Sequence, residues 1–169
     1  MSIALRKSQE TRANLITEDW AKARLEVMWK VQLEKTPRHY RCDWEIIRGK
    51  DSLGLAEFKS SSHTYDQQME WGGFRISYKK FDFAYPLVAL TDLPYYLIVK
   101  FSGEKDLYQH KFDRQIYNAR QRGENPYKLS RFEHSIRGRE ADKEPCIVLE
   151  EHHFEKVKKD EFENLEIKA

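Results

Sequence analysis

The sequence predicts an α/β domain, and three stretches carry that prediction. Residues 40–60, YRCDWEIIRGKDSLGLAEFKS, hold two runs rich in apolar and β-branched residues around the turn Gly49-Lys50-Asp51-Ser52, which is the pattern of a β-hairpin. Residues 17–35 place apolar side chains three and four apart, as a helix with one buried face requires. Residues 78–90 repeat that helical spacing and lead through Leu93-Pro94 into YYLIVKF, residues 95–101, a strand by composition and length.

Taken in order, residues 1–16 show no sustained periodicity and read as a tail or lead-in. Thr17 is a candidate N-cap, with Glu18 and Asp19 in the first turn, where carboxylates favour the helix dipole. Trp20, Ala23, Val27 and Val31 then form the expected buried stripe, and Thr36-Pro37 ends the helix. Glu26 lies at the edge of that stripe, with Asp19 on nearly the same flank. In the hairpin, alternation puts Asp43 and Glu45 on one face of the first strand and Cys42, Trp44 and Ile46 on the other. On the second strand Glu57 and Lys59 share a face while Phe58 points away. Pairing can therefore gather Asp43, Glu57 and Lys59 on one side of a sheet. Ser60-Ser61-Ser62-His63 makes a polar loop, and Thr64–Ser77 carries no clear pattern. In the helix 78–90, Phe81, Tyr85, Val88 and Ala89 share a side, and Pro86 implies a bend or an early end. Residues 107–112 and 146–149 are further short strands.

At 169 residues the chain is read as one domain, residues 1–169, with a core at about 17–112 and an extension at 113–169 that is first basic and then acidic. The overall charge of +2 hides that split: residues 110–139 carry eight basic against three acidic residues, and 140–169 carry ten acids against five lysines. The arginines of the basic stretch suit phosphate contacts. Apolar residues make up 40% and charged ones 34%, which fits a soluble globular protein with no membrane partner, since every apolar run breaks well short of the roughly 20 residues a spanning helix needs. Cys42 and Cys146 form neither a disulfide framework nor a CxxC pair, which suggests reduced thiols in a cytoplasmic setting. Tyr95, Tyr96 and Tyr108 read as sheet packing. His152-His153, flanked by Glu150, Glu151 and Glu155, marks an exposed surface rather than a metal site, and His63 is a candidate for substrate contact.

Two carboxylates on neighbouring strands suit Mg²⁺, a hard cation that takes oxygen ligands and keeps several waters. A lysine two residues from one of them can offset charge growing on a phosphate or position a water. The order of helix with Glu26, strand with Asp43, turn, strand with Glu57-Phe58-Lys59, helix and strand resembles the PD-(D/E)xK nuclease superfamily, which includes restriction endonucleases, lambda exonuclease and archaeal Holliday-junction resolvases. The stretch ISYKKFDFAYPLVALTDLPYYLIVKF looks like the helix, Leu-Pro turn and strand that follow the catalytic lysine in small phage-type members.

This resemblance implies a restriction endonuclease-like three-layer α/β/α core with a mixed sheet of four or five strands. It also implies Mg²⁺-dependent hydrolysis of DNA, with Mn²⁺ as a substitute ion. Asp43 and Glu57 would be the metal ligands, Lys59 would assist catalysis, and a helix-one acid would complete the catalytic set. Glu26 is the candidate for that acid, with Asp19 and Glu34 in competition. Cys42 stands where the family often has proline, and the QxxxY motif of the RecB-like branch is missing after Lys59. The expected partner is DNA, duplex or branched, rather than RNA. Such substrates would favour a homodimer, and a phage-encoded enzyme would act in the host cytoplasm. The alternative is a nuclease-fold module that has lost the chemistry and binds nucleic acid or a partner protein.

Overall fold

A computed structural model describes residues 12–37, 40–134 and 143–164. Arg137 and Arg139 of the basic stretch, and most of the expected N-terminal tail, lie outside the described residues. The protein is α/β. Its main sheet is mixed and six-stranded, in the order β1-β2-β3-β5-β6-β9, and a second, three-stranded sheet runs β4-β8-β7.

Helix α1 spans Arg12–Trp29, so it begins earlier and ends earlier than the sequence suggested. Lys30 adopts a left-handed φ of 53° and stops it. The next residues, Gln32–Lys35, form β1, with Val31 and Leu33 buried and Gln32 and Glu34 exposed, a period of two that had been absorbed into the helical reading. The buried stripe of α1 also differs from expectation. Ala21, Leu25 and Trp29 face the core, while Val27 is 79% exposed and Trp20 41%. Two apolar stripes run along this helix, and the one that wins ends in Trp29, whose ring packs 5.2 Å from Tyr96 and 5.4 Å from Phe162.

Strands β2, Trp44–Arg48, and β3, Asp51–Ser60, form the expected hairpin, although the turn between them is only Gly49-Lys50, with Gly49 at φ 65°. Trp44 pairs with Ala56 and Glu45 with Leu55, and a bulge follows at Ile46–Ile47. The chain then makes helix α2, Tyr65–Glu70, strand β4, Phe74–Ser77, and helix α3, Tyr78–Thr91, before β5, Tyr95–Lys100, lies parallel to β3. Ser77 caps α3 by accepting from the Lys79 N–H, and Pro86 sits inside the helix without ending it. Strand β6, Tyr108–Phe112, pairs antiparallel with β5. Helix α4, Arg114–Gln121, and strands β7, Lys128–His134, β8, Lys143–Leu149, and β9, Glu155–Lys156, complete the order.

The expected count of four or five strands becomes six because of the two edge strands. β1 has four residues and β9 only two, lengths at which periodicity carries no signal. Alternation along β5 sends Tyr96 and Ile98 to one face, where they join Ala21, Leu25, Trp29, Trp44, Ile46, Ala56 and Phe58. Tyr95, Leu97 and Val99 point to the other face, with Phe81, Ala84 and Val88 of α3. Burial on both faces explains why YYLIV, the first five residues of β5, is an unbroken run without charge. Tyr95, Tyr96 and Tyr108 are all buried in this packing. Among the described residues no helix is long and apolar enough to cross a membrane.

One glycine fixes how β5 meets the hairpin. A Cβ on Gly54 would lie 2.6 Å from the Pro94 carbonyl oxygen, and Leu55 N–H donates to that same oxygen at 3.1 Å. Gly54→Ala should therefore cost about 2 kcal/mol or more by displacing the strand junction, read as a lower urea midpoint at unchanged m. A midpoint equal to the parent's would mean that the junction yields freely.

Candidate active site

The site grows out of the place where β2 and β3 part. Their ladder ends at Trp44 and Ala56, and Asp43 N–H still donates to Ala56 O at 3.0 Å. One step further along β3 the partner of the Phe58 N–H is the Asp43 carboxylate, through Oδ2 at 2.8 Å. A side chain thus takes over where the β2 backbone leaves, which keeps the ladder donor satisfied and fixes the Asp43 carboxylate against β3. Glu57 precedes Phe58 and is buried, at 2% exposure.

A buried carboxylate needs compensation, and Glu57 has two ammonium partners. Lys59 Nζ lies 2.6 Å and Lys80 Nζ 2.8 Å from the same oxygen, Oε1. Lys59 comes from the same strand face, as alternation predicted. Lys80 comes from the first turn of α3, and it also donates to the Arg41 carbonyl at 3.2 Å. Sequence reasoning had given Lys80 no role at the site. Only the crossover between β3 and β5 brings it there.

The electrostatics follow from this crowding. Burial, and then the charge of Glu57, push the Asp43 carboxyl up to about 6, against the opposing pull of the Phe58 N–H and Lys59. For Lys59 burial disfavours the charge, but Glu57 and then Asp43 and Glu18 outweigh it and raise the ammonium above its ordinary value. Lys59 is therefore a cation at neutral pH and not a base. Burial also lifts the Cys42 thiol to about 11, which fits a reduced, inert cysteine beside the site.

The helix-one acid that the site feels is Glu18, whose charge reaches both Asp43 and Lys59. Its carboxylate is largely covered and pairs with Lys35 at 3.1 Å. Glu26 is occupied elsewhere: its Oε1 accepts the Leu33 N–H at 2.8 Å and so ties α1 to β1. Asp19 is exposed, and Glu34 lies on β1 opposite Glu45. The choice among these acids turned on the helical stripe. Glu18 stands three and seven residues before Ala21 and Leu25, on the buried face that the sequence reading had rotated away.

The arrangement suits a divalent cation. Two hard carboxylate groups are held close enough to repel, and a doubly charged ion relieves that repulsion. A second group of ligand-type side chains does not suit one. Glu150, His152 and His153 bring their donor atoms within 4.8 Å of one another, but Glu150 pairs with Lys128 at 2.6 Å. His153 Nδ1 accepts the Glu150 N–H at 2.9 Å, and its Nε2 faces the Pro126 carbonyl at 2.6 Å. Both ring nitrogens of His153 are used in holding the turn. His63 is exposed and meets the Trp71 ring edge-on at 4.8 Å.

A mixed sheet with an aspartate at the hairpin fork and Glu-x-Lys on the next strand defines a member of the PD-(D/E)xK nuclease superfamily, of phage type. The chain belongs to the family described as "Phage putative PDDEXK endonuclease", whose model matches residues 4–157. No curated protein and no solved structure gives a significant match.

Proposed function

We propose that the protein is a Mg²⁺-dependent deoxyribonuclease that hydrolyses phosphodiester bonds at the fork of β2 and β3. The observation that carries this reading is the meeting of Asp43 and Lys59 at the buried carboxylate of Glu57, with Asp43 pushed up to about 6 by burial and then by the charge of Glu57. Family membership supports nuclease chemistry in general. The two apolar clusters on opposite faces of the sheet support a three-layer α/β/α core.

In this reading Asp43 and Glu57 hold the cation. Glu18, rather than Glu26, is the helix acid that completes the negative field. When bound, Mg²⁺ supplies a Lewis acid for the phosphate and lowers the pKa of water. Lys59 is already charged, and its ammonium faces the charge that grows on the phosphate oxygens. The Phe58 N–H orients Asp43, and burial keeps Glu57 from turning to solvent. Arg120 of α4, Arg122 at its C-cap and Lys128 of β7 are exposed basic side chains that could exchange their present partners, Glu124 for Arg122 and Glu150 for Lys128, for the DNA backbone.

The test is a cleavage panel of duplex, single-stranded and branched DNA and of RNA, each with Mg²⁺, with Mn²⁺ and with EDTA. DNA should be cut with either metal and not with EDTA. Lys59→Ala should lower the rate about a hundredfold or more with the fold intact by circular dichroism. Glu18→Gln should raise the Mg²⁺ concentration needed for half-maximal rate, and Glu26→Gln should leave it unchanged. Metal-independent cutting, or a fully active Lys59→Ala protein, would sink the assignment. Tight DNA binding with no cleavage under any condition would favour a binding module instead.

A further inference from the structure

We propose that Lys80 is a positioning residue whose ammonium ties the loop carrying Asp43 to the strand carrying Glu57, so that the two carboxylates stay together. This rests on the reading of Asp43 and Glu57 as the metal pair. Lys80 Nζ makes two bonds to two different chain segments: the ion pair to Glu57 Oε1 at 2.8 Å on β3, and the hydrogen bond to the Arg41 carbonyl at 3.2 Å, two residues before Asp43. A lysine ammonium has three donors on one nitrogen, which allows it to bridge a carboxylate and a carbonyl at once.

Other contacts from the same helix turn grip the same loop. Asp82 pairs with Arg41 at 3.9 Å, and the Phe83 ring meets Tyr40 edge-on at 6.4 Å. The helix is itself fixed, since Phe81, Ala84 and Val88 are buried against the sheet. Lys80 therefore works from a helix packed on the sheet and acts on the residues just before Asp43. Lys59 stands differently. It shares Glu57 but comes from the same strand, so that ion pair ties β3 to no second segment, and it is the more exposed of the two lysines, 39% against 25% for their side chains. The pair divides the work: Lys80 holds the carboxylates in place, and Lys59 can turn toward substrate.

Cys42 lies between Arg41 and Asp43 and reports on this loop. The experiment uses the full chain in a Cys146→Ser background, which leaves Cys42 as its one thiol. Labelling of Cys42 by a disulfide reagent is followed without metal, and the rise in melting temperature with Mg²⁺ is followed separately. Lys80→Met should speed labelling about tenfold by letting the loop open. It should also weaken the Mg²⁺ half-saturation point about tenfold or more. Lys80→Arg should stay near the parent on both measures. Loss of the positive charge alone would make the thiol harder to ionise and would slow labelling, so faster labelling reports release of the loop. Unchanged labelling and unchanged Mg²⁺ response in Lys80→Met would overturn the proposal, as would a folded Lys80→Arg protein that behaves like Lys80→Met. If the parent itself gives no Mg²⁺ shift, the metal reading falls, and the labelling result still decides whether Lys80 fastens the loop.

Discussion

Asp43→Asn is expected to abolish cleavage and, without metal, to raise the melting temperature at pH 7.5. The carboxyl of Asp43 titrates at about 6 in the folded protein, above its ordinary value of 3.8. Between about pH 4 and 6 the native state therefore keeps a proton that the unfolded chain has lost. Stability of the metal-free protein should fall as pH rises through that window, and above it the full burden of the buried charge remains. At about 1.4 kcal/mol for each tenfold difference, that burden is at most about 3 kcal/mol, with the attraction to Lys59 already contained in it. Asparagine keeps an oxygen to accept the Phe58 N–H and removes the charge. A rise of several degrees is expected, since about 1 kcal/mol moves the midpoint of a chain this size by about 2–4 °C. Saturating Mg²⁺ should reverse the order, because the ion stabilises the parent and finds one carboxylate fewer in the variant. A variant that melts lower than the parent at pH 7.5 without metal, or that cuts DNA at the parental rate, would contradict this account.

The second carboxylate should behave in the opposite way. Glu57→Ala removes the common partner of Lys59 and Lys80, and it leaves two ammonium groups near one another, with the charges of Asp43 and Glu18 acting on Lys59 and the Arg41 carbonyl on Lys80. Breaking a buried ion pair from one side costs about 3–5 kcal/mol, and the partial exposure of both lysines places this case nearer to about 2–3 kcal/mol. Cleavage should vanish as well, but the stability loss is the sharper signature. Adding Lys80→Met to Glu57→Ala removes the stranded cation, so the double variant should be more stable than Glu57→Ala alone. Thermal melts of the four proteins in EDTA give the coupling directly. A Glu57→Ala protein as stable as the parent would mean that the two lysines are solvated and hold nothing. The two acids of one site thus separate by measurement: losing the charge helps the fold at Asp43 and harms it at Glu57.

What could be read from the sequence was what lies close along the chain. The hairpin brings Asp43, Glu57 and Lys59 to one place through strand parity and a short turn, both visible in the order of residues. α3 and β5 were also legible, the first by its helical spacing and the second by its composition, its length and the Leu93-Pro94 before it. The misreadings came where two patterns compete or where the signal is short. α1 carries two apolar stripes, and the sequence reading followed the one through Val27, whereas Ala21, Leu25 and Trp29 are the residues that are buried. β1 and β9 are too short for alternation to register. Lys80 had no local mark at all. Its meaning depends on the helix returning over the hairpin, which is a fact of topology.

That topology also sets an order of assembly. The two acids belong to one hairpin and can approach each other once a two-residue turn has closed, a contact that costs little chain entropy. Their second counter-charge arrives only with the parallel pairing of β3 and β5, across the 34 residues from 61 to 94 that include α3. Closing so long a crossover is the slower event, since non-local pairing repays its entropy late. Until then Glu57 and Asp43 have no lid over them, and water rather than Lys80 must screen their repulsion. The nascent hairpin is thus most at ease in mild acid or high salt, and the finished protein owes the closeness of its two carboxylates to the segment that folds over them last.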